Sequence, residues 1–246
     1  MSFETPQQPE SRTSRISQVL QALEGGLIVS CQARPGSPFR HTLIMVAMAQ
    51  AAEMSGAVGI RANGYDDIKA IREAVNLPII GILKQRDLPN CDVYITPTFA
   101  DAKIVASAGA DIIAIDGTLR KRPNGETLKG LIARIHNELH LPVMADCSTE
   151  EEGLQAAELG ADLVATTLSG YTAYTAHTLD KGPDMAMLKG LIEKVSVPVI
   201  AEGRFNEPKN VAEALELGAF AVVVGTALTA PQWRMKQFAA VTRRNK

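Results

Sequence analysis

Short apolar runs recur along the chain, and what precedes each follows an alternating code. Four open just after Gly-Ala, at Gly56-Ala57, Gly109-Ala110, Gly160-Ala161 and Gly218-Ala219. Three open just after an aliphatic residue and proline, at Leu77-Pro78, Leu141-Pro142 and Val197-Pro198, and the two kinds alternate in chain order. Each glycine reads as a helix end, where only glycine adopts the left-handed cap conformation cheaply. Each proline reads as a strand start, where its missing N–H costs least. With Leu27-Ile28-Val29-Ser30 as a first strand, the pattern predicts eight strands, at 27–32, 57–61, 79–84, 111–116, 142–146, 163–167, 198–202 and 221–225. None shows clean apolar–polar alternation, as expected of parallel strands buried on both faces. Helices are predicted between them at 39–55, 66–75, about 99–108, 127–139, 150–159, 184–195 and 208–217. Strand and helix alternating in this way imply a single-domain α/β fold, the (β/α)8 barrel. The apolar stretch 93–97 follows Lys84 too closely for a crossover helix, so it is assigned to a short extension before the next helix.

In such a barrel the chemistry sits where strands end at their carboxyl side. There the sequence places Gln32, Arg61, Lys84, Asp116, Asp146, Thr167, Glu202 and Gly225. Lys84, Asp146 and Glu202 all lie an even number of residues beyond their prolines, so the period of two turns them to one shared face. Strand seven runs into Glu202-Gly203-Arg204 and strand eight into Gly225-Thr226, glycine-bearing turns at the usual phosphate pocket of this fold. The long 168–183 segment after strand six is a candidate active-site loop, with Tyr171 and Tyr174 either covering a sugar or packing the loop.

The length of 246 residues suits one such barrel, and 46% hydrophobic residues suffice to fill it. A net charge of −2 excludes a basic nucleic-acid footprint, so an anionic ligand must be held by local groups. No apolar run approaches the roughly 18 residues of a membrane span. Residues 1–15 are polar and read as a flexible leader to a 16–246 barrel domain. Cys31, Cys91 and Cys147 are odd in number and lack metal-site spacing, which points to a reducing, cytoplasmic setting with packed thiols. His136 and His140, four apart near a helix end, and His177 in the long loop read as surface residues, and no metal site is expected. Barrels of this kind often pair through their outer helices, so a homodimer is the expected assembly.

These residues resemble those of bacterial N-acetylmannosamine-6-phosphate 2-epimerases over about residues 22 to 240. The likeness is carried by Gly25-Gly26-Leu27-Ile28-Val29-Ser30-Cys31-Gln32, Gly59-Ile60-Arg61, Gly81-Ile82-Leu83-Lys84 and Asp116-Gly117-Thr118 with Arg120, Arg122 and Pro123. It continues through Ala145-Asp146-Cys147-Ser148-Thr149, Thr166-Thr167-Leu168-Ser169-Gly170-Tyr171 and Ala201-Glu202-Gly203-Arg204. The resemblance implies a cofactor-independent isomerase of sialic acid catabolism, acting on an amino-sugar phosphate at C2. By that likeness Lys84 and Glu202 fall on the catalytic pair, and Gln32, Arg61, Asp146 and Thr167 on sugar contacts. Gly203, Arg204, Gly225 and Thr226 fall near phosphate contacts. One position departs: where the family has an arginine before a proline after strand eight, this chain has Ala230-Pro231, with Arg204 or Arg234 available to compensate. Two other readings stay open. A buried strand-end lysine is also the nucleophile of a Schiff-base lyase, and a barrel without that arginine could bind a sugar phosphate without turning it over.

Overall fold

The computed structural model describes residues 12–86, 88–89 and 91–242. Its centre is a closed barrel of eight parallel strands in the order β1 to β8, each hydrogen-bonded to the next and β8 to β1. The strands are β1 (Leu27–Cys31), β2 (Gly59–Asn63), β3 (Ile79–Ile82), β4 (Ile112–Asp116), β5 (Val143–Asp146), β6 (Leu163–Ala165), β7 (Val199–Glu202) and β8 (Ala221–Val224). The helices are α1 (Arg12–Leu23), α2 (Thr42–Met54), α3 (Tyr65–Ala74), α4 (Phe99–Ser107), α5 (Leu128–Arg134), α6 (Glu150–Glu158), α7 (Met185–Lys194), α8 (Pro208–Glu216), α9 (Thr226–Thr229) and α10 (Pro231–Ala240).

The local code works as the sequence suggests. Gly56, Gly109, Gly160 and Gly218 all have positive φ, between 84° and 102°. Pro78, Pro142 and Pro198 each contribute a carbonyl to the neighbouring strand, accepting from Ile60, Ile113 and Val164. Thr98 with Asp101 and Thr149 with Glu152 close reciprocal capping boxes at α4 and α6, satisfying N–H groups that the first turn would otherwise leave open.

Two parities separate the two cores. Ile28, Ile80, Ile82, Ile112, Ala114, Met144, Leu163, Ile200 and Val223 fill the barrel interior, whereas Val29, Ile60, Ile113, Val143 and Val222 pack outward under the helices. Strand two begins two residues later than the sequence suggests. Ala57 lies in the turn that closes α2, its N–H reaching back to the Ala52 carbonyl, and Arg61 lies in mid-strand rather than at a strand end. The 93–97 stretch folds back as a short antiparallel pairing on the end of β3, through a Lys84–Ile95 bridge with Gln85 N–H to Tyr94 O at 2.9 Å.

Helix α1 begins inside the segment 1–15 read as a leader. Residues 1–11 lie outside the described residues, but α1 already starts at Arg12. Ile16, Val19, Leu20 and Leu23 have the i, i+3, i+4, i+7 spacing of an amphipathic helix. Leu23 is fully buried and joins the interior cluster with Ile28, and Val19 and Leu20 pack beside it. Helix α1 thus stoppers the amino end of the barrel. Gly59 makes room for it, since a Cβ there would stand 2.6 Å from Leu23 Cδ2.

Candidate active site

At the opposite, carboxyl end the inward parity delivers polar side chains instead of aliphatic ones. Arg61 of β2 is the centre, 1% exposed. Its Nη1 donates to Asp146 Oδ1 at 2.9 Å, its Nη2 to Asp146 Oδ2, and Nη1 also to Glu202 Oε2. Thr167 Oγ1 donates to Asp146 Oδ1 at 2.6 Å. The backbone of Glu202 is pinned by Thr166, whose hydroxyl donates to the Glu202 carbonyl at 2.8 Å and accepts its N–H at 3.1 Å. Across the mouth, Lys84 Nζ donates to Gln32 Oε1 at 2.7 Å, and the Lys84 N–H donates to Asn63 Oδ1 at 2.9 Å. In a ring of eight, β3 and β7 are four strands apart, so Lys84 and Glu202 rise from opposite walls. No ion pair within 4.0 Å joins them among the described residues.

The electrostatics follow from burial and from Arg61. Burial pushes the Lys84 ammonium down, Arg61 adds to this, and Glu202 pulls partly back, leaving it at about 8. Burial pushes the Glu202 carboxyl up, against the pull of Arg61 and with help from Asp146, to about 7. Burial disfavours the Arg61 charge, but Asp146 and Glu202 outweigh it and hold the guanidinium firmly protonated. The ordinary values of the lysine and the carboxyl lie about six units apart; here they nearly meet.

The turns after β7 and β8 lie beside this ring. Gly203 and Arg204 both have positive φ, 111° and 62°. The Arg204 guanidinium is committed elsewhere: Nη1 donates to Ser169 O and Nε to Gly182 O, tying the β7 turn to the long β6–α7 loop. Gly225 precedes α9, whose first turn begins at Thr226. Arg234 sits on the exposed face of α10 with Glu207 and Gln237, away from Gly225 and Thr226. Ala230 occupies the junction between α9 and α10.

The remaining candidates resolve into packing. Tyr174 donates to the buried Glu152 and accepts from Ser148 Oγ at 3.2 Å, so it anchors the long loop to the start of α6. Tyr171 lies 5.8 Å from the Arg204 guanidinium. Cys31 and Cys147 are fully buried; burial and Asp67 push the Cys31 thiol up to about 12, and burial likewise raises Cys147, so neither is a ready nucleophile. His136 Nε2 is 2.7 Å from Asp162 Oδ2, and His140 and His177 are exposed. Asp116 is enclosed by Arg120 and Thr118. A surface groove of about 850 Å³ along 118–129 shares no residue with the ring of Arg61, Lys84, Asp146 and Glu202.

Sequence reasoning did not single out Ser30, Asn63 or Thr166, all of which touch the ring residues. Their signal was their inward or strand-end register, obscured because small polar residues also serve as ordinary filler.

The profile of a family described as "Putative N-acetylmannosamine-6-phosphate epimerase" matches residues 45–244. A relative named as a putative N-acetylmannosamine-6-phosphate 2-epimerase in Caldanaerobacter subterraneus is 50% identical over 221 residues, covering 89% of this chain and 92% of its own. One of the same name in Thermosynechococcus vestitus is 52% identical over 223 residues, covering 91% and 96%. The solved structure of the N-acetylmannosamine-6-phosphate 2-epimerase from Clostridium perfringens superposes with a TM-score of 0.87 at 42% identity, covering 98% of this chain and 100% of that one. A thiamine phosphate pyrophosphorylase from Pyrococcus furiosus, 18% identical with a TM-score of 0.57 over 86% of this chain and 89% of its own, shares the fold alone. With a matched profile over most of its length and relatives at half identity, this chain belongs to the N-acetylmannosamine-6-phosphate epimerase family.

Proposed function

We propose that this chain is a cofactor-independent isomerase that interconverts N-acetylmannosamine 6-phosphate and N-acetylglucosamine 6-phosphate, as sialic acid catabolism requires. The observation that carries the reading is the pair Lys84 and Glu202, inward-facing on opposite walls, not paired with each other, and shifted toward a common pKa. Inversion next to a carbonyl needs a proton taken from one face and another given to the opposite face. In the open-chain sugar the C1 aldehyde acidifies the C2 proton. Neutral Lys84 removes it, and protonated Glu202 delivers a proton to the other face; in the reverse direction the roles exchange. Arg61, held by Asp146, supplies the positive charge against which the enolate oxygen develops. Asp146 and Thr167, locked together, offer the sugar hydroxyls a fixed pair of partners. The phosphate is assigned to the backbone N–H groups of Gly203, Arg204, Gly225 and Thr226, with the Arg204 side chain stiffening the turn rather than gripping the anion.

We further place the enzyme in the cytoplasm as a homodimer. No described helix is long and apolar enough to cross a membrane. The dimer is supported by Met235 and Phe238, exposed on α10 at 62% and 68%. A mass of 26.3 kDa by light scattering at working concentration would overturn the dimer.

The test of function is proton NMR of N-acetylmannosamine 6-phosphate in deuterated water. Deuterium entering C2 as the gluco epimer forms is the expected result. Lys84→Ala and Glu202→Ala should each lose at least about two decades of turnover while remaining folded. Near-normal turnover in either variant removes that residue from its role.

A further inference from the structure

Ser30 stands two residues before Gln32 on the inward face of β1 and is 7% exposed. Its Oγ accepts from Gln32 Nε2 at 2.8 Å, while Gln32 Oε1 accepts from Lys84 Nζ at 2.7 Å. A glutamine amide has one accepting end and one donating end, so the two bonds depend on a single orientation. The Lys84 ammonium can only donate and so calls for the amide oxygen, while the Ser30 hydroxyl tethers the other end of the amide and holds it in place. Turned over, the amide would set its NH2 against Lys84. That would oppose the ammonium form, and in the neutral form it would donate into the very lone pair that must meet the substrate proton.

Ser30 is itself fixed from the other side. Its carbonyl accepts from Thr229 Oγ1 at 2.8 Å, and the same hydroxyl donates to Gly225 O at 3.1 Å. A Cβ placed on Gly225 would stand 3.3 Å from Ser30 Cβ. The residue that tethers Gln32 therefore rests against the turn assigned to the phosphate.

We propose that Ser30 is a positioning residue: it tethers the Gln32 amide beside Lys84 and thereby aims the lone pair of Lys84 at C2. This rests on the reading of Lys84 as a proton carrier. It adds a residue that touches neither the reacting carbon nor Lys84.

The experiment compares pH profiles of kcat and kcat/KM for the wild type, Ser30→Ala, Lys84→Ala, Gln32→Ala and the double variant Ser30→Ala/Gln32→Ala. In Ser30→Ala we expect kcat to fall about 10- to 100-fold, the scale of a misaimed reacting group, with KM changed less than about twofold. The alkaline break should move down by about one unit, because the ammonium loses its assured acceptor. Because Ser30 acts on Lys84 through the Gln32 side chain, adding Ser30→Ala to Gln32→Ala, which removes that side chain, should cost nothing further. A loss of kcat with the break unmoved would mean ordinary packing and would overturn the proposal, as would unchanged kcat or additive losses in the double variant. An active Lys84→Ala would instead sink the underlying assignment, whatever Ser30 does.

Discussion

The near-meeting of the Lys84 and Glu202 pKa values makes a quantitative prediction about pH. The perturbation is the proton concentration, and the competent free enzyme for the direction in which Lys84 is base must hold neutral lysine and protonated glutamate together. With values of about 8 and about 7, about a quarter of the lysine is neutral at pH 7.5 and about a quarter of the glutamate is protonated. About 6% of the enzyme is then competent, taking the two groups as independent. With ordinary values near 10.4 and 4.3 the same state would be about one molecule in a million. Burial in the barrel mouth therefore supplies between four and five decades of competent population before any transition-state contact is counted. Because the lower value belongs to the acid, kcat/KM should be flat between about 7 and 8 and fall tenfold per unit on either side. The reverse direction uses the opposite ionic form, ammonium and carboxylate, which is more than half populated at pH 7.5. It should nevertheless show the same two breaks. The assay is initial rate by NMR in both directions from pH 5.5 to 9.5 at low substrate. The substrate phosphate titrates near pH 6, so the stretch from 6 to 7 is the diagnostic part of the acid limb. A profile flat from 6 to 9, or breaks that differ between directions, would refute this assignment of base and acid.

Two further predictions test the groups around the pair. Asp146→Asn removes one of the two carboxylates that compensate the buried Arg61; stability should fall by about 3 kcal/mol, read as a lower urea midpoint at unchanged m-value. Losing the Asp146 charge should also move the acid break lower, since that charge helps raise Glu202; a stable variant with an unmoved break would contradict both roles. Ala230→Arg would place before Pro231 the cation that the family resemblance implies there. Phosphate-group binding should tighten by about one to two decades, seen as a lower KM at nearly constant kcat; an unchanged KM would show that the backbone turns suffice.

Much of this architecture was legible because its determinants are local. A Gly-Ala cap or a strand-opening proline acts within a few residues, and seven such signals in alternation leave little choice of topology. Parity carried the reading into the site: Lys84, Asp146 and Glu202 share the inward face that their even offsets implied. What could not be read is who bonds to whom. Arg61 meets Asp146 and Glu202 across 85 and 141 residues of chain, a match decided by strand tilt and side-chain length after the ring has closed. The Arg204 side chain turns back to Ser169 and Gly182 for a similar reason, since nothing near Arg204 in sequence shows where the β6–α7 loop will pass. Helix α1 was hidden by a polar flank, although the spacing of Ile16, Val19, Leu20 and Leu23 was in plain view.

That helix has a consequence for traffic. With Leu23 seated against Gly59 and Ile28, the barrel is a well rather than a pipe, and among the described residues the mouth is its door. Sugar, product and solvent protons must pass through the same opening, in turn. A bound epimer bars the next substrate from the same well, so each sugar should compete fully with the other. On the proposed assignment, the protons left on Lys84 and Glu202 after one turnover are reversed relative to its start, and water resets them when the doorway is clear.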